Sequence, residues 1–305
     1  MQQYRVNYAL LVALVVGTLV MSGACYGLWR FQIARNAGTL ITSGKDSEEK
    51  GEIRRAAADY ANYLSIRPDD KEIRVRLGQM LAQITELQDV KPEEISRSIN
   101  ALEETVRRMP DQKELQRTLV DLYGRIGGNQ QAIDHLSLMV QKYPDDADLQ
   151  IKQMEYMIRI KKFDGPDGAI AIGKKLVGYD DTSDTFDAKK AIAPHDAKVY
   201  GNLAGLIRGV QDKPDLADRV MDQLIKENPD TAAAHLQRGQ YLVSVGEPDR
   251  GQREIRKAYE LAPKDADVLL AMAFRAQANE NLDQAREFLN RGQQEYPTDA
   301  RFHQG

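Results

Sequence analysis

Residues 232–265 read AAAHLQRGQYLVSVGEPDRGQREIRKAYELAPKD, and the proline near the end of this stretch decides the fold. Counting Pro263 as position 32 of a 34-residue unit puts Gly239 at position 8 and Ala258 at position 27. A proline at that place ends a second helix, because it has no N–H and its ring clashes with the preceding turn. Working outward, prolines stand at Pro68, Pro110, Pro144, Pro229, Pro263 and Pro297, and three of the five gaps between them are 34 residues. A period of that length is the mark of a repeated helix-turn-helix unit.

The side chains keep the same period. The first unit has Gly44 at position 8, Ala56 at 20 and Tyr60 at 24, and Gly78 is eighth in the second. The third has Leu119 at 7, Tyr123 at 11, Ala132 at 20 and Leu136 at 24. The fifth has Gly205 and Ala217, and the last has Ala273, Ala285 and Leu289, in the corresponding places. Two helices of one unit cross closely only where side chains are small, and a larger apolar group beside them fills the remaining space. Val120, Ser98 and Gly251 depart from the pattern locally.

These residues resemble the tetratricopeptide repeat (TPR) family over roughly 37–300. The resemblance implies an all-α fold, a right-handed α-solenoid of about seven helix pairs, at 37–70, 71–112, 113–146, 147–197, 198–231, 232–265 and 266–299. Single units are too small to bury their apolar faces, so stability comes from stacking neighbours. In this family the first helices line a groove that takes an extended peptide or a partner helix. The in-register groove positions here include Arg117, Asp121 and Arg125 in the third unit and Gln237, Gln240 and Ser244 in the sixth. The carboxylate clamp that some members use for peptide tails is not expected, since Ile41 and Lys45 occupy places where it needs Lys and Asn. The resemblance extends to bacterial membrane-anchored members that organise envelope assembly, secretion or polysaccharide export. Residues 300–305 read as the start of a further helix, cut short.

Two units are enlarged. The excess in the second falls around ELQDVKPEE, residues 86–94, and that in the fourth in DDTSDTFDAKKAIAPHD, residues 180–196, whose composition reads as loop. Insertions in repeat arrays tend to lie in surface loops and are places for partner contact.

Ahead of the repeats, residues 8–28 form a 21-residue run, YALLVALVVGTLVMSGACYGL, without a charge. As a helix it spans about 30 Å, enough to cross hydrocarbon. Tyr8 at one end and Tyr26 and Trp29 at the other suit the two interfaces, and Arg30 ends the run. The expected layout is a short tail at 1–7, a transmembrane helix at 8–28 and a juxtamembrane helix at 29–36. A short tail carrying Arg5 favours repeats on the extracytoplasmic (periplasmic) side. Two alternatives remain open. The run is longer than the apolar part of a cleaved signal, and Ser22-Gly23-Ala24-Cys25 partly matches a lipoprotein box that would be cleaved and acylated at Cys25.

The chain has a net charge of −4 with Arg5, Arg30 and Arg35 all in its first 35 residues, so the repeats are acidic and carry no basic stripe for nucleic acid. One cysteine allows no internal disulfide. Gly168–Lys174 imitates a phosphate-binding loop, yet Lys175 stands where the hydroxyl belongs and both flanks read as helix. His135, His195, His235 and His303 have no metal-ligand spacing and read as surface residues. Asp69-Asp70, Asp145-Asp146 and Asp180-Asp181 read as turns and N-caps. No cofactor, metal, small-molecule substrate or enzyme activity is expected, and a protein partner is. ATP should therefore leave the melting temperature unchanged in a thermal-shift assay, and a clear rise would reopen the nucleotide reading.

Overall fold

Seven short joints organise the described residues, each with a proline at the same place and most with the same few residues around it. A proline is followed two residues later by the N-cap of a helix, whose first turn starts on the third residue. Pro68, Pro110, Pro144, Pro194, Pro229, Pro263 and Pro297 precede helical turns starting at Lys71, Lys113, Ala147, Ala197, Ala232, Ala266 and Ala300. Asp70, Asp146, Asp196, Asp265 and Asp299 accept a hydrogen bond from a backbone N–H of that turn, closing a donor the helix cannot satisfy itself. The side chain six residues past the proline then reaches back. Arg74, Gln116, Gln150, His235 and His303 each donate to the carbonyl of Pro68, Pro110, Pro144, Pro229 and Pro297 respectively. Two joints break this rule. After Pro263 the sixth residue is Leu269, and Tyr296 Oη donates instead to the next carbonyl, that of Lys264, at 2.9 Å. After Pro194 it is Tyr200, whose hydroxyl makes no such bond, and Asn228 donates to the proline carbonyl at 2.9 Å.

The structure, a computed structural model, describes residues 8–303. Within them lie fourteen α-helices. The chain divides into two compact units, Met1–Gly128 and Asn129–Gly305.

The first unit holds α1 (Tyr8–Glu49), α2 (Ile53–Ile66), α3 (Lys71–Ile84), α4 (Pro92–Arg108) and α5 (Lys113–Arg125). Its core gathers Ala56, Tyr60 and Leu64 of α2 with Ile73, Leu77 and Met80 of α3. At Gly44 a Cβ would stand 2.6 Å from Tyr60, so the α1–α2 crossing tolerates only glycine there. Gly78 likewise lies 3.0 Å, measured from a built Cβ, from Leu115 of α5. The loop after α3 is shorter than the 86–94 insertion expected, because Pro92 takes the first position of α4 and Glu94 accepts the Lys91 N–H at 3.0 Å. Arg54 grips this loop, pairing with Asp89 at 3.0 Å and Glu94 at 2.8 Å.

Among the described residues no helix is long and apolar enough to cross a membrane. The stretch expected to span, 8–28, falls in the first half of α1, and the side chains of 8–13, 15, 20, 29 and 30 lie outside the described ones. The tail at 1–7 and residues 304–305 also lie outside them.

The second unit holds α6 (Asn129–Lys142), α7 (Ala147–Arg159), α8 (Ala169–Val177), α9 (Ala197–Gly209), α10 (Pro214–Glu227), α11 (Ala232–Ser244), α12 (Pro248–Leu261), α13 (Ala266–Ala278) and α14 (Leu282–Glu295), then a 3-10 turn at Ala300–Phe302. Gly239 and Gly251 face each other where α11 and α12 cross. A Cβ on either would approach the other's carbonyl oxygen within 2.9 Å or 2.7 Å, so the apparent departure at Gly251 is what lets this pair close. Gly205 is different, being exposed with open space beside it, and the neighbouring Ala204 is the buried small residue of α9. Ala132, Ala217 and Ala258 are fully buried, and Ala273 and Ala285 nearly so.

The long insertion is not loop throughout. β1 (Tyr179–Asp180) and β2 (Thr185–Phe186) pair antiparallel, with Tyr179 opposite Phe186 and their rings 5.0 Å apart. Arg219 of α10 holds Asp184 at 2.9 Å, Asn228 donates to the Pro194 carbonyl at 2.9 Å, and Ala193 is buried. Aromatic pairing across two strands and these tethers give the segment a fixed shape that its polar composition conceals.

Replacing Gln150 by Leu removes the donor from the Pro144 carbonyl at a joint where Gln150 is only 2 % exposed. A loss of about 1–3 kcal/mol in urea denaturation is expected, and an unchanged midpoint would show that the reach-back contact contributes nothing.

Candidate functional site

The first helices of the repeats supply the surface on which a partner could be read. Each buries one stripe against its neighbours and leaves the opposite stripe open, as spacing at 3.6 residues per turn dictates. On α5, Asp121 and Arg125 are exposed and Arg117 is half-buried. Arg125 is not free, since its Nη2 donates to Thr85 Oγ1 at 3.0 Å at the end of α3. On α11, Gln240 and Ser244 are exposed, and the Ser244 hydroxyl donates to the Tyr241 carbonyl at 2.7 Å. Gln237 is turned towards α9, where it would collide with any side chain added at Gly201. The six expected positions therefore form two separate sets, one in each unit.

Latches of tyrosine, carboxylate and arginine fix neighbouring first helices. In the first unit Tyr60 Oη donates to Glu48 Oε2 at 2.5 Å, and Arg76 of α3 reaches the same oxygen at 3.1 Å. In the second unit Arg208 of α9 donates to Tyr241 Oη at 2.9 Å and to Asp218 at 2.7 Å, while Tyr241 donates to Asp218 at 2.5 Å. Burial, followed by the adjacent carboxylate, pushes each tyrosine hydroxyl up to about 12. These groups lie far from any range in which they could act as acid or base near neutrality.

Sequence reasoning missed one open, partly apolar feature of the second unit. A depression of about 350 Å³ lies between α13 and α14, with Phe274, Leu282 and Leu289 on its wall and Arg286 and Arg301 at its rim. Phe274 is 67 % exposed and Leu282 57 % exposed. The signal was present, because Phe274 stands at the ninth position of its unit, where Asp121 and Gln240 stand in theirs.

No group of three His, Cys, Asp or Glu side chains converges on a cation site among the described residues. The Gly168–Lys174 stretch is the N-cap and body of α8, and Lys174 is spent on Asp181 at 2.5 Å and on the Tyr179 ring. His235 is not a surface residue. It is buried, with Nε2 2.8 Å from the Pro229 carbonyl and Nδ1 2.6 Å from Glu254, because it fills the reach-back place of its joint. His195 faces Asn228 at 2.7 Å and His303 faces the Pro297 carbonyl at 3.0 Å. Asp70 and Asp146 are N-caps, while Asp180 accepts the Thr182 N–H at 2.8 Å within the hairpin.

Residues 242–305 match the tetratricopeptide repeat family model. Among solved structures, a tetratricopeptide repeat protein from Parabacteroides merdae is similar at a TM-score of 0.55 and 12% identity, covering 88% of this chain and 96% of that one. PilW, described as a type IV pilus biogenesis factor, matches at a TM-score of 0.46 and 15% identity over 77% of this chain and 97% of its own. The human protein O-mannosyl-transferase TMTC3 is 35% identical over 82 residues, 27% of this chain, and its mouse counterpart matches equally. The chain spans only 9% of the length of those two relatives. The fold is thus an all-α TPR-like solenoid, and its structural neighbours are TPR proteins.

The latch has a measurable pH signature. A raised tyrosine keeps its stabilising contribution in full below its ordinary value of 10.0 and loses it as pH rises towards about 12. Tyr241→Phe, which cannot ionise, should lower the melting temperature at neutral pH yet fall less steeply than the parent between those limits. Parallel curves would remove the latch from the account.

Proposed function

We propose that this chain is a protein-interaction scaffold, tethered to a membrane by residues 8–28, that presents the open faces of its first helices to a partner peptide or helix. The observation that carries the reading is the combination of stacked helix pairs with first-helix stripes, such as Asp121 on α5 and Gln240 and Phe274 on α11 and α13, left to solvent. TPR domains bind protein partners through such surfaces. The matching segment of the O-mannosyl-transferases is a small part of them, so their transferase activity is not carried over here.

Support for the tether is the uncharged run of 8–28 together with the state of its described side chains. Leu14, Val16, Leu19, Met21, Tyr26 and Leu28 are all exposed, from 52 % to 69 %, on a helix whose later half brings Ile41 to the α2–α3 core. Exposed apolar side chains in such a row are costly in water and favourable in lipid. The short basic tail favours an inside N-terminus, which puts the repeats on the extracytoplasmic side. A role in envelope assembly, secretion or export fits that placement. Cys25 is exposed and free within the same run, so the acylated form is the rival anchoring chemistry.

Crosslinking in intact cells, followed by mass spectrometry of the membrane fraction, tests scaffold and tether together. The expected result is a small set of envelope proteins crosslinked to the repeats, with the chain released to the soluble fraction when 8–28 is replaced by a polar sequence. A mature N-terminus at a lipid-modified Cys25 would replace the spanning helix by a lipid anchor. Loss of every crosslink except those to a second copy would favour a self-associating spacer.

A further inference from the structure

In the second unit α10 packs against α11 and α12 against α13, and the polar side chains at these two interfaces stand 34 residues apart, place by place. Between α10 and α11 the charges balance. Asp218 of α10 accepts from Tyr241 at 2.5 Å and from Arg208 at 2.7 Å, and Asp222, one turn on, pairs with Arg238 at 2.6 Å. Between α12 and α13 the places of Asp218 and Asp222 are taken by Gln252 and Arg256, and those of Tyr241 and Arg238 by Arg275 and Met272. Both carboxylates are gone, and one of them has become a guanidinium.

The exchange leaves two cations without a counter-charge. Arg275 is half-buried, and its Nη1 meets only the Met272 sulfur, a weak acceptor, at 3.8 Å. Its Nε is shielded from solvent and has no hydrogen-bond partner among the described residues. Arg256 is exposed and forms no ion pair among the described residues, although Glu260 follows it by one turn. Burial, then the nearby Arg256, holds the Arg275 guanidinium below its ordinary value, as two like charges sheltered from water require. In a chain of net charge −4, two neighbouring guanidiniums are thus left unneutralised. A desolvated N–H beside a second cation is costly, and an oxyanion that accepts from both groups removes the cost.

We propose that Arg256 and Arg275 form a binding site for a carboxylate, which does between α12 and α13 the work that Asp218 and Asp222 do between α10 and α11. The chemistry follows from the molecule itself, since its own carboxylates neutralise the equivalent place one repeat earlier. The guanidinium fork suits a carboxylate, whose two oxygens can accept from two arginines at once. The site lies inside the array, between two consecutive repeats. Two sources share this chemistry, a free acid and an acidic side chain on a bound peptide. The second rests on the scaffold reading and gives it a partner chemistry.

Labelled hexaglutamate and hexaglutamine, followed by fluorescence anisotropy with the full chain, test one source, and free glutarate in a thermal-shift assay tests the other. Hexaglutamate should bind at least about fivefold more tightly than hexaglutamine, and Arg256→Gln and Arg275→Gln should each remove that preference. Arg256→Asp restores the carboxylate found at Asp222, so it should abolish binding and raise the melting temperature of the unliganded chain by pairing with Arg275. Because Arg256 is exposed, circular dichroism of its variants should match that of the parent, and lost binding there is not lost fold. Stabilisation by glutarate that disappears in Arg256→Gln, with no preference between the peptides, assigns the site to a small acid. A hexaglutamate preference without a glutarate effect assigns it to an acidic peptide. Equal binding of the peptides together with no glutarate effect overturns the proposal, as does any preference or stabilisation that survives Arg256→Gln. The absence of any protein crosslink in cells would sink the scaffold reading, whereas a glutarate response lost in Arg256→Gln would still uphold the site.

Discussion

The joint between one helix pair and the next is the constraint on which the rest of this molecule depends. A helix that stops leaves carbonyls without partners, and a helix that starts leaves N–H groups without them. Here the two sets are dealt with by one short phrase of sequence. Proline stops the preceding helix and contributes no donor of its own. An aspartate two residues later accepts from the new turn at five of the joints. A side chain four residues after that closes the proline's carbonyl, and its chemistry matters only in that it can donate, so arginine, glutamine and histidine all serve. Where both ends are answered, the chain turns sharply in a partly buried place with its backbone groups paired.

That local closure sets where the helices lie, and the small residues then decide how close they come. Gly44 under Tyr60 and the facing pair Gly239 and Gly251 mark two close crossings. Tyrosine, carboxylate and arginine latches add a directional contact beside the apolar one, joining α1 and α2 to α3 in one unit and α9 and α10 to α11 in the other. The surface that remains after all this packing is a stripe on each first helix. That remainder is the surface a partner would meet, and among the described residues no group of His, Cys, Asp and Glu side chains converges on a cation site.

The period of the prolines made the helix pairs legible, because stopping a helix is a strong and position-specific effect. Pro194 escaped notice since the hairpin insertion pushes it off the 34-residue spacing, yet its phrase Pro194-His195-Asp196 has the form of the other joints. Reading for proline and aspartate two apart, rather than for distance alone, would have found it. His235 was misjudged because histidine suggests either a metal or a surface, and its actual work is to answer a carbonyl. Gly205 was misjudged in the opposite sense: a glycine at the right number turned out to face open space, with Ala204 beside it buried instead. Of the candidate site, the register of the first-helix faces was readable, but the commitment of Arg125 to Thr85 and of Gln237 to Gly201 was not, since both depend on neighbours distant in sequence. Phe274 was readable only by comparing like positions between repeats.

The reach-back bonds connect residues only six apart in the chain. Closing so small a ring sacrifices little freedom of the unfolded chain compared with pairing distant segments. Each turn can therefore be formed before its repeat has found a neighbour, and ordering can begin at several places and spread outward. A polypeptide emerging slowly from the ribosome would meet these turns one after another, with each ready to receive the next pair as it is made.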